Sequence, residues 1–152
     1  MQEAFLREEM LLGSAAMERL ARAHVIIFGI GGVGSYVAEG LARAGVGALT
    51  LVDSDTVGES NLNRQLCALH STIGQHKSDV MARRILDIHP DCRVISIPEL
   101  YNEERKERFF SQPYDYVVDA IDLVSCKLSL IRSSLLPVPM ALMIGMPRAS
   151  AV

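Results

Sequence analysis

The stretch Val25-Ile26-Ile27-Phe28-Gly29-Ile30-Gly31-Gly32-Val33-Gly34, followed by Ser35 through Ala44, decides the fold. Its apolar, β-branched half reads as a strand of a parallel sheet, buried on both faces. The glycines then turn the chain into an amphipathic helix. Gly29, Gly31 and Gly34 keep the G-x-G-x-x-G spacing, with Gly32 inside it. The first glycine suits a tight turn, the second a close approach of backbone to phosphate, and the third close helix–strand packing. The N–H groups opening the helix face an anion, and Gly45 is placed to end it at C′. Strand, loop and helix come in the right order, which selects nucleotide phosphate binding over a bare tight turn. The nucleotide itself stays open at this point.

Working outward, 152 residues allow one domain with a real core. Apolar residues make up 49%, and the net charge of −3 offers no bulk electrostatic case for nucleic acid. Cys67, Cys92 and Cys126 are an odd set without a C-x-x-C pair. Neither a disulfide framework nor a four-thiolate zinc site is expected, and buried free thiols in a reducing cytoplasm are. Glu3, Glu8 and Glu9 are wrong for a signal peptide, and the apolar run over 137–146 is too short to span a bilayer.

Residues 2–23 read as two short helices parted at Gly13-Ser14, with Ser14 capping the second. Strands are expected over 25–28, 48–52, 93–97, 116–119 and 139–145. Helices are expected over 35–44, 74–89, 102–110 and 124–134, and a long functional loop over 56–73. This alternation predicts an α/β, Rossmann-like parallel sheet with helices on both faces, preceded by an N-terminal helical segment.

In such sheets ligands sit beyond the carboxyl ends of the strands. The glycine loop follows the first strand, Asp53 closes the second, and Asp119-Ala120-Ile121-Asp122 closes the fourth. Asp53 suits the ribose hydroxyls of NAD or ATP alike, and also suits a structural role at a strand end. Arg64 and Lys77 discriminate, because a triphosphate asks for cations beyond what a glycine loop supplies. Lys77 in a helix's first turn is disfavoured by the dipole unless an anion is near, or else is simply solvated. Asp122 suits Mg²⁺ held together with phosphate oxygens, or a helix N-cap. His24, His70, His76 and His89 lack metal-ligand spacing, and Ser125 and Ser129 lack an activating His/Asp arrangement. Arg83-Arg84 gives no more than a bare cue for RNA.

The set Gly29-Ile30-Gly31-Gly32-Val33-Gly34, Asp53-Ser54-Asp55-Thr56-Val57, Ser60-Asn61-Leu62-Asn63-Arg64-Gln65, Lys77 and Asp119-x-x-Asp122 resembles the ThiF/MoeB-type adenylating enzymes, relatives of the ubiquitin-activating enzymes. Ala68-Leu69, Thr72-Ile73-Gly74, Val80-Met81-Ala82, Pro90-Asp91-Cys92-Arg93-Val94 and Lys127 resemble the branch that dehydrates threonylcarbamoyladenosine in tRNA. The resemblance implies ATP-dependent carboxylate adenylation in a homodimer, with tRNA as substrate. Gly29, Gly31, Gly32, Gly34 and Asp53 would hold adenosine and ribose. Asn61, Asn63, Arg64 and Lys77 would contact the phosphates, and Asp122 would bind Mg²⁺. Arg7 matches an arginine that reaches the partner's ATP site in these dimers.

Alternatives are a carrier-protein adenylyltransferase with a sulfur-transfer partner, a non-catalytic nucleotide-binding fragment, and an NAD-linked oxidoreductase. For the last, no hydride-transfer acid or base is visible. The expectation for 1–152 is a single ThiF-type ATP-binding domain lacking the family's C-terminal portion. Residues 146–152 do not resemble the family's Gly-rich continuation, and His89 stands where asparagine is usual. The apolar strand over 139–145 is then expected to be an uncovered edge that promotes association.

Overall fold

The computed structural model describes residues 3–122, Cys126, Leu130 and 140–143. Five parallel strands form one sheet in the order β3-β2-β1-β4-β5. They are β1 (His24–Phe28), β2 (Ala48–Val52), β3 (Arg93–Ile97), β4 (Tyr116–Asp119) and β5 (Met140–Met143). The helices are α1 (Leu6–Leu12), α2 (Ser14–Arg22), α3 (Gly34–Arg43), α4 (Lys77–Ile88) and α5 (Lys106–Phe109). Cys126 and Leu130 are helical; the rest of the helix expected over 124–134 lies outside the described residues, as do Lys127, Ser125, Ser129 and 146–152.

Every residue of β1 and β2 is buried, and the strand period of two divides them between two cores. Val25, Ile27, Leu49, Leu51 and Val118 face Ala38, Ala42, Met81 and Ile85 on α3 and α4. Ile26, Phe28, Val52 and Val117 face Tyr101, Phe109, Tyr114 and Leu130 on the other side. A continuous apolar run therefore works here as two interleaved stripes, one for each helical layer. His24 is the polar exception in β1. Its Nε2 lies 2.9 Å from Thr50 Oγ1 and its Nδ1 3.2 Å from Arg93 Nη2, so its ring nitrogens are satisfied within the sheet.

Three local expectations are refined. Ser14 does not cap α2: Gly13, at φ +79°, occupies the N-cap position, and no side chain bonds the helix end. α4 begins at Lys77 rather than at residue 74, because Gly74 and Gln75 bond to Val57 and His76 pairs with Thr56. Cys67 and Cys92 are buried, whereas Cys126 is only half-buried. The end of α3 follows its sequence signal closely. Gly45 has φ +84°, its N–H bonds Ala42 O, and Val46 N–H bonds Leu41 O, which satisfies the last helical carbonyls.

Candidate functional site

The chain order reverses between β1 and β4, so the loops leaving these neighbouring strands diverge and open a crevice. A cavity of about 680 Å³ lies there. Its near wall is the glycine turn. Gly29 has φ +89°, and a Cβ on it would lie 2.6 Å from Ala120 O, so this position closes the turn against the β4 loop. At Gly31 and Gly32 the nearest atoms to an added Cβ are 3.6 and 3.7 Å away, on Gln65 and Arg64. Here the absent side chains leave backbone open to the cavity.

Asp53 stands just past β2 and ties the site together. Its Oδ2 accepts from Ile30 N–H at 2.6 Å and its Oδ1 from Asp55 N–H at 2.8 Å. Burial pushes this carboxyl above its ordinary range, opposed by the two N–H donors and by the Lys77 charge. The strand-end structural role is therefore present. It leaves capacity for ligand hydroxyls, since a carboxylate offers about four lone-pair sites.

The loop between β2 and α4 folds back over the glycine turn. Leu66 N–H donates to Ser35 Oγ at 3.3 Å, and Cys67 Sγ lies 3.7 Å from Ile30 O. This docking brings Asn61, Arg64 and Gln65 to the cavity. Asn61 Oδ1 accepts from Gly58 N–H at 3.0 Å. Arg64 Nη1 donates to Ser60 O at 2.7 Å and to Asn63 Oδ1 at 2.9 Å, so its guanidinium is held while exposed. Asn63 thus supports Arg64 and does not itself line the cavity. Lys77 opens α4 with a nearly buried side chain, its Nζ 2.8 Å from Asp55 Oδ2. Asp122 lines the opposite lip and is exposed. Gly34 lies behind the turn, and Arg7 is exposed on α1, outside the cavity lining.

Gln65, Glu99, Leu100 and Tyr101 also line the cavity, although the sequence reading gave them no role. The last three follow β3 as the glycines follow β1. The available signal was positional: residues just beyond a parallel strand's carboxyl end. Glu99 is further tied to Arg108 Nη2 at 2.6 Å. Among the described residues, no group of three or more His, Cys, Asp and Glu is arranged to hold a metal ion. Among the same residues, no helix is long and apolar enough to cross a membrane.

Residues 5–135 match the ThiF family. The chain belongs to it. This ThiF-family chain is 47% identical over 135 residues to the tRNA threonylcarbamoyladenosine dehydratase of Bacillus subtilis, covering 89% of this chain and 53% of that protein. A crystal structure of the Escherichia coli tRNA N6-threonylcarbamoyladenosine dehydratase in complex with ATP superposes with a TM-score of 0.85 at 42% identity. It covers 90% of this chain and 57% of that one. A sulfur carrier protein adenylyltransferase of Thermus thermophilus is 38% identical over 111 residues, 72% of this chain and 41% of that protein. The ThiF-family chain spans about half the length of these relatives.

Proposed function

We propose that this chain carries the ATP-binding part of an enzyme that activates a carboxylate by adenylation, acting as a tRNA threonylcarbamoyladenosine dehydratase. One observation carries the reading: the glycine turn, Asp53, Asn61, Arg64, Lys77 and Asp122 all line one cavity at the β1/β4 crevice. A dinucleotide pyrophosphate is held by a glycine loop and helix dipole, so the two added cations favour a triphosphate over NAD. The similarity to a dehydratase whose structure holds ATP points the same way.

In this reading Asp53 takes the ribose, while the glycine turn, Asn61, Arg64 and Lys77 hold the phosphates. The substrate carboxylate oxygen bonds to the α-phosphorus. The bond to the β-phosphate oxygen breaks, and pyrophosphate leaves with the electron pair. Arg64 and Lys77 counter the negative charge that develops. Ring closure onto the activated carbonyl then releases AMP, for a net loss of water from the modified nucleoside. The residues present fit Mg²⁺, which needs only one or two carboxylates beside phosphate oxygens. Exposed Asp122 on the lip would hold it, and the ion would neutralise phosphate charge.

The unit is a homodimer. α1 buries none of its residues and presents Leu6, Met10, Leu11 and Leu12 beside Arg7, an apolar face suited to a second copy. Arg7 of one protomer would serve the other's phosphates. The tRNA substrate fits a cytoplasmic enzyme.

Arg64→Ala and Asp122→Ala are each expected to abolish ATP–pyrophosphate exchange, and near-normal exchange in either refutes its assigned role. Calorimetry showing NAD binding with no response to ATP and Mg²⁺ would reverse the nucleotide assignment. Cyclisation of modified tRNA, assayed against adenylation of a Gly-Gly carrier tail, separates the dehydratase from the carrier-protein reading. Mixed Arg7→Ala and Arg64→Ala subunits are expected to regain activity. No rescue despite subunit exchange argues for a site completed in cis.

A further inference from the structure

Lys77 is the only lysine among the described lining residues of the cavity, and its side chain is 7% exposed. A buried ammonium without a counter-charge is strongly disfavoured. Asp55 supplies that charge: its Oδ2 lies 2.8 Å from Nζ, while the carboxylate side chain itself stays 66% exposed. The pair is therefore lopsided, with the cation held in the wall and the anion in water.

The backbone around this pair is closed without help from either side chain. Asp55 N–H donates to Asp53 Oδ1 at 2.8 Å, and Asp55 O accepts from Lys77 N–H at 3.0 Å. Thr56 pairs antiparallel with His76, Val57 N–H bonds Gln75 O at 2.9 Å, and Gly74 N–H bonds Val57 O at 2.8 Å. Segments 55–57 and 74–77 are thus zipped by main chain alone. Among the described residues, the bond that the Asp55 carboxylate makes is the one to Lys77, so the task it takes on is aiming the ammonium. An ammonium carries three N–H donors. The ion pair uses one of them and leaves two to meet a phosphate.

We propose that Asp55 is a positioning residue, which fixes the Lys77 ammonium in the cavity wall so that it meets the nucleotide phosphates already oriented. This rests on the ATP reading of the cavity. A donor fixed before the reaction stabilises developing charge without reorganising, whereas a loose one still binds phosphate. Loss of Asp55 therefore falls on kcat more than on the KM for ATP.

Two readouts on Asp55→Asn test this, and the first needs no nucleotide. Reductive methylation of Lys77, followed by peptide mass spectrometry, is expected to run about fivefold faster than in the parent, because an untethered amine leaves the wall and meets the reagent in solvent. The urea midpoint should stay near the parent's. Asp55→Glu, which keeps the charge, should protect Lys77 almost as the parent does, and it keeps the test decisive if Asp55→Asn folds poorly. Equal methylation in parent and Asp55→Asn, or an unprotected lysine in Asp55→Glu, overturns the proposal. In pyrophosphate exchange, Asp55→Asn should lose about tenfold in kcat with KM for ATP within about threefold. Adding Asp55→Asn to Lys77→Met should cost nothing further; losses that multiply, or a change in KM alone, also overturn it. A parent without exchange, but with Lys77 unmasked by Asp55→Asn, sinks the ATP reading and leaves the tether standing.

Discussion

A methyl group on Gly34 would place its carbon 1.8 Å from Gly29 O and 2.9 Å from Gly29 C. Ordinary C···O contacts begin near 3.3 Å, so β1 and α3 would have to part by about 1.5 Å. That shift would strain the α3 start, where Ser35 N–H bonds Gly31 O at 3.1 Å and Ser35 Oγ bonds the same oxygen at 2.6 Å. Overpacking against backbone costs about 3 kcal/mol, at the upper end for such changes because no flexible side chain can give way. With a urea m-value of about 2 kcal/mol/M, the midpoint of Gly34→Ala should fall by about 1.5 M. Two other glycines serve as controls. At Gly32 the nearest atoms are at 3.7 Å, so Gly32→Ala should keep its midpoint while its methyl group enters the cavity. ATP affinity, read by calorimetry, should then fall by about tenfold through loss of close backbone approach. Gly40 lies inside α3 with nothing within 4 Å, and Gly40→Ala should gain about 0.5–1 kcal/mol from helix propensity alone. An unchanged midpoint in Gly34→Ala, or normal ATP binding in Gly32→Ala, would refute this division of labour.

Burial, and then the Arg93 charge, holds the His24 imidazole below its usual range. The unfolded chain therefore binds a proton first, and stability should decline as pH drops below about 6.5; urea midpoints between pH 7.5 and 5.5 measure it, with His24→Gln flattening the slope. Glu39 joins α3 to α4 through Arg84 and also bonds Arg43, and these partners hold its carboxyl below the usual range. Its contribution is present above the ordinary carboxylate pKa and lost as pH falls through the lowered one. Glu39→Gln should thus cost about 1–2 kcal/mol at pH 7, with the gap to the parent closing in thermal melts taken in acid. Phe5 meets His89 edge-on with centroids 4.9 Å apart and lies 3.5 Å from the site of a Gly45 Cβ. Phe5→Ala should cost about 2–3 kcal/mol by denaturant titration, and a smaller loss would mean that the N-terminal segment barely braces the sheet.

The sheet was legible because its signals are local and repeat: apolar runs of strand length, each followed by a helix-period stretch. The glycine turn, Asp53 and Asp122 were legible because a parallel sheet gathers its ligands at one edge. Arg64 and Lys77 could be named from residue type, but their arrangement could not be read. The Lys77–Asp55 pair joins residues 22 apart across a loop whose fold depends on the Ser35 and Ile30 docking contacts. Glu99, Leu100 and Tyr101 carry no motif, and only the position of β3 beside β2 brings them to the cavity. The Ser14 cap failed for a different reason: Gly13 takes the bend itself, leaving the hydroxyl one position inside the helix.

The main-chain zipper at 55–57 and 74–77 has a consequence for variation among descendants of this chain. It makes the intervening excursion a ring closed at its base, and the bonds from Leu66 and Cys67 pin that ring a second time. Residues 69–73 run between these two closures as a mostly exposed stretch, with Thr72 Oγ1 donating back to Cys67 O at 2.7 Å. Lengthening a loop already closed costs little, about 0.6 kcal/mol for each doubling. Insertions in this stretch can therefore reshape the outer rim while Arg64, Lys77 and Asp53 keep their spacing. The architecture separates a fixed cavity wall from a tunable rim, letting selection alter reach without moving the residues that line the cavity.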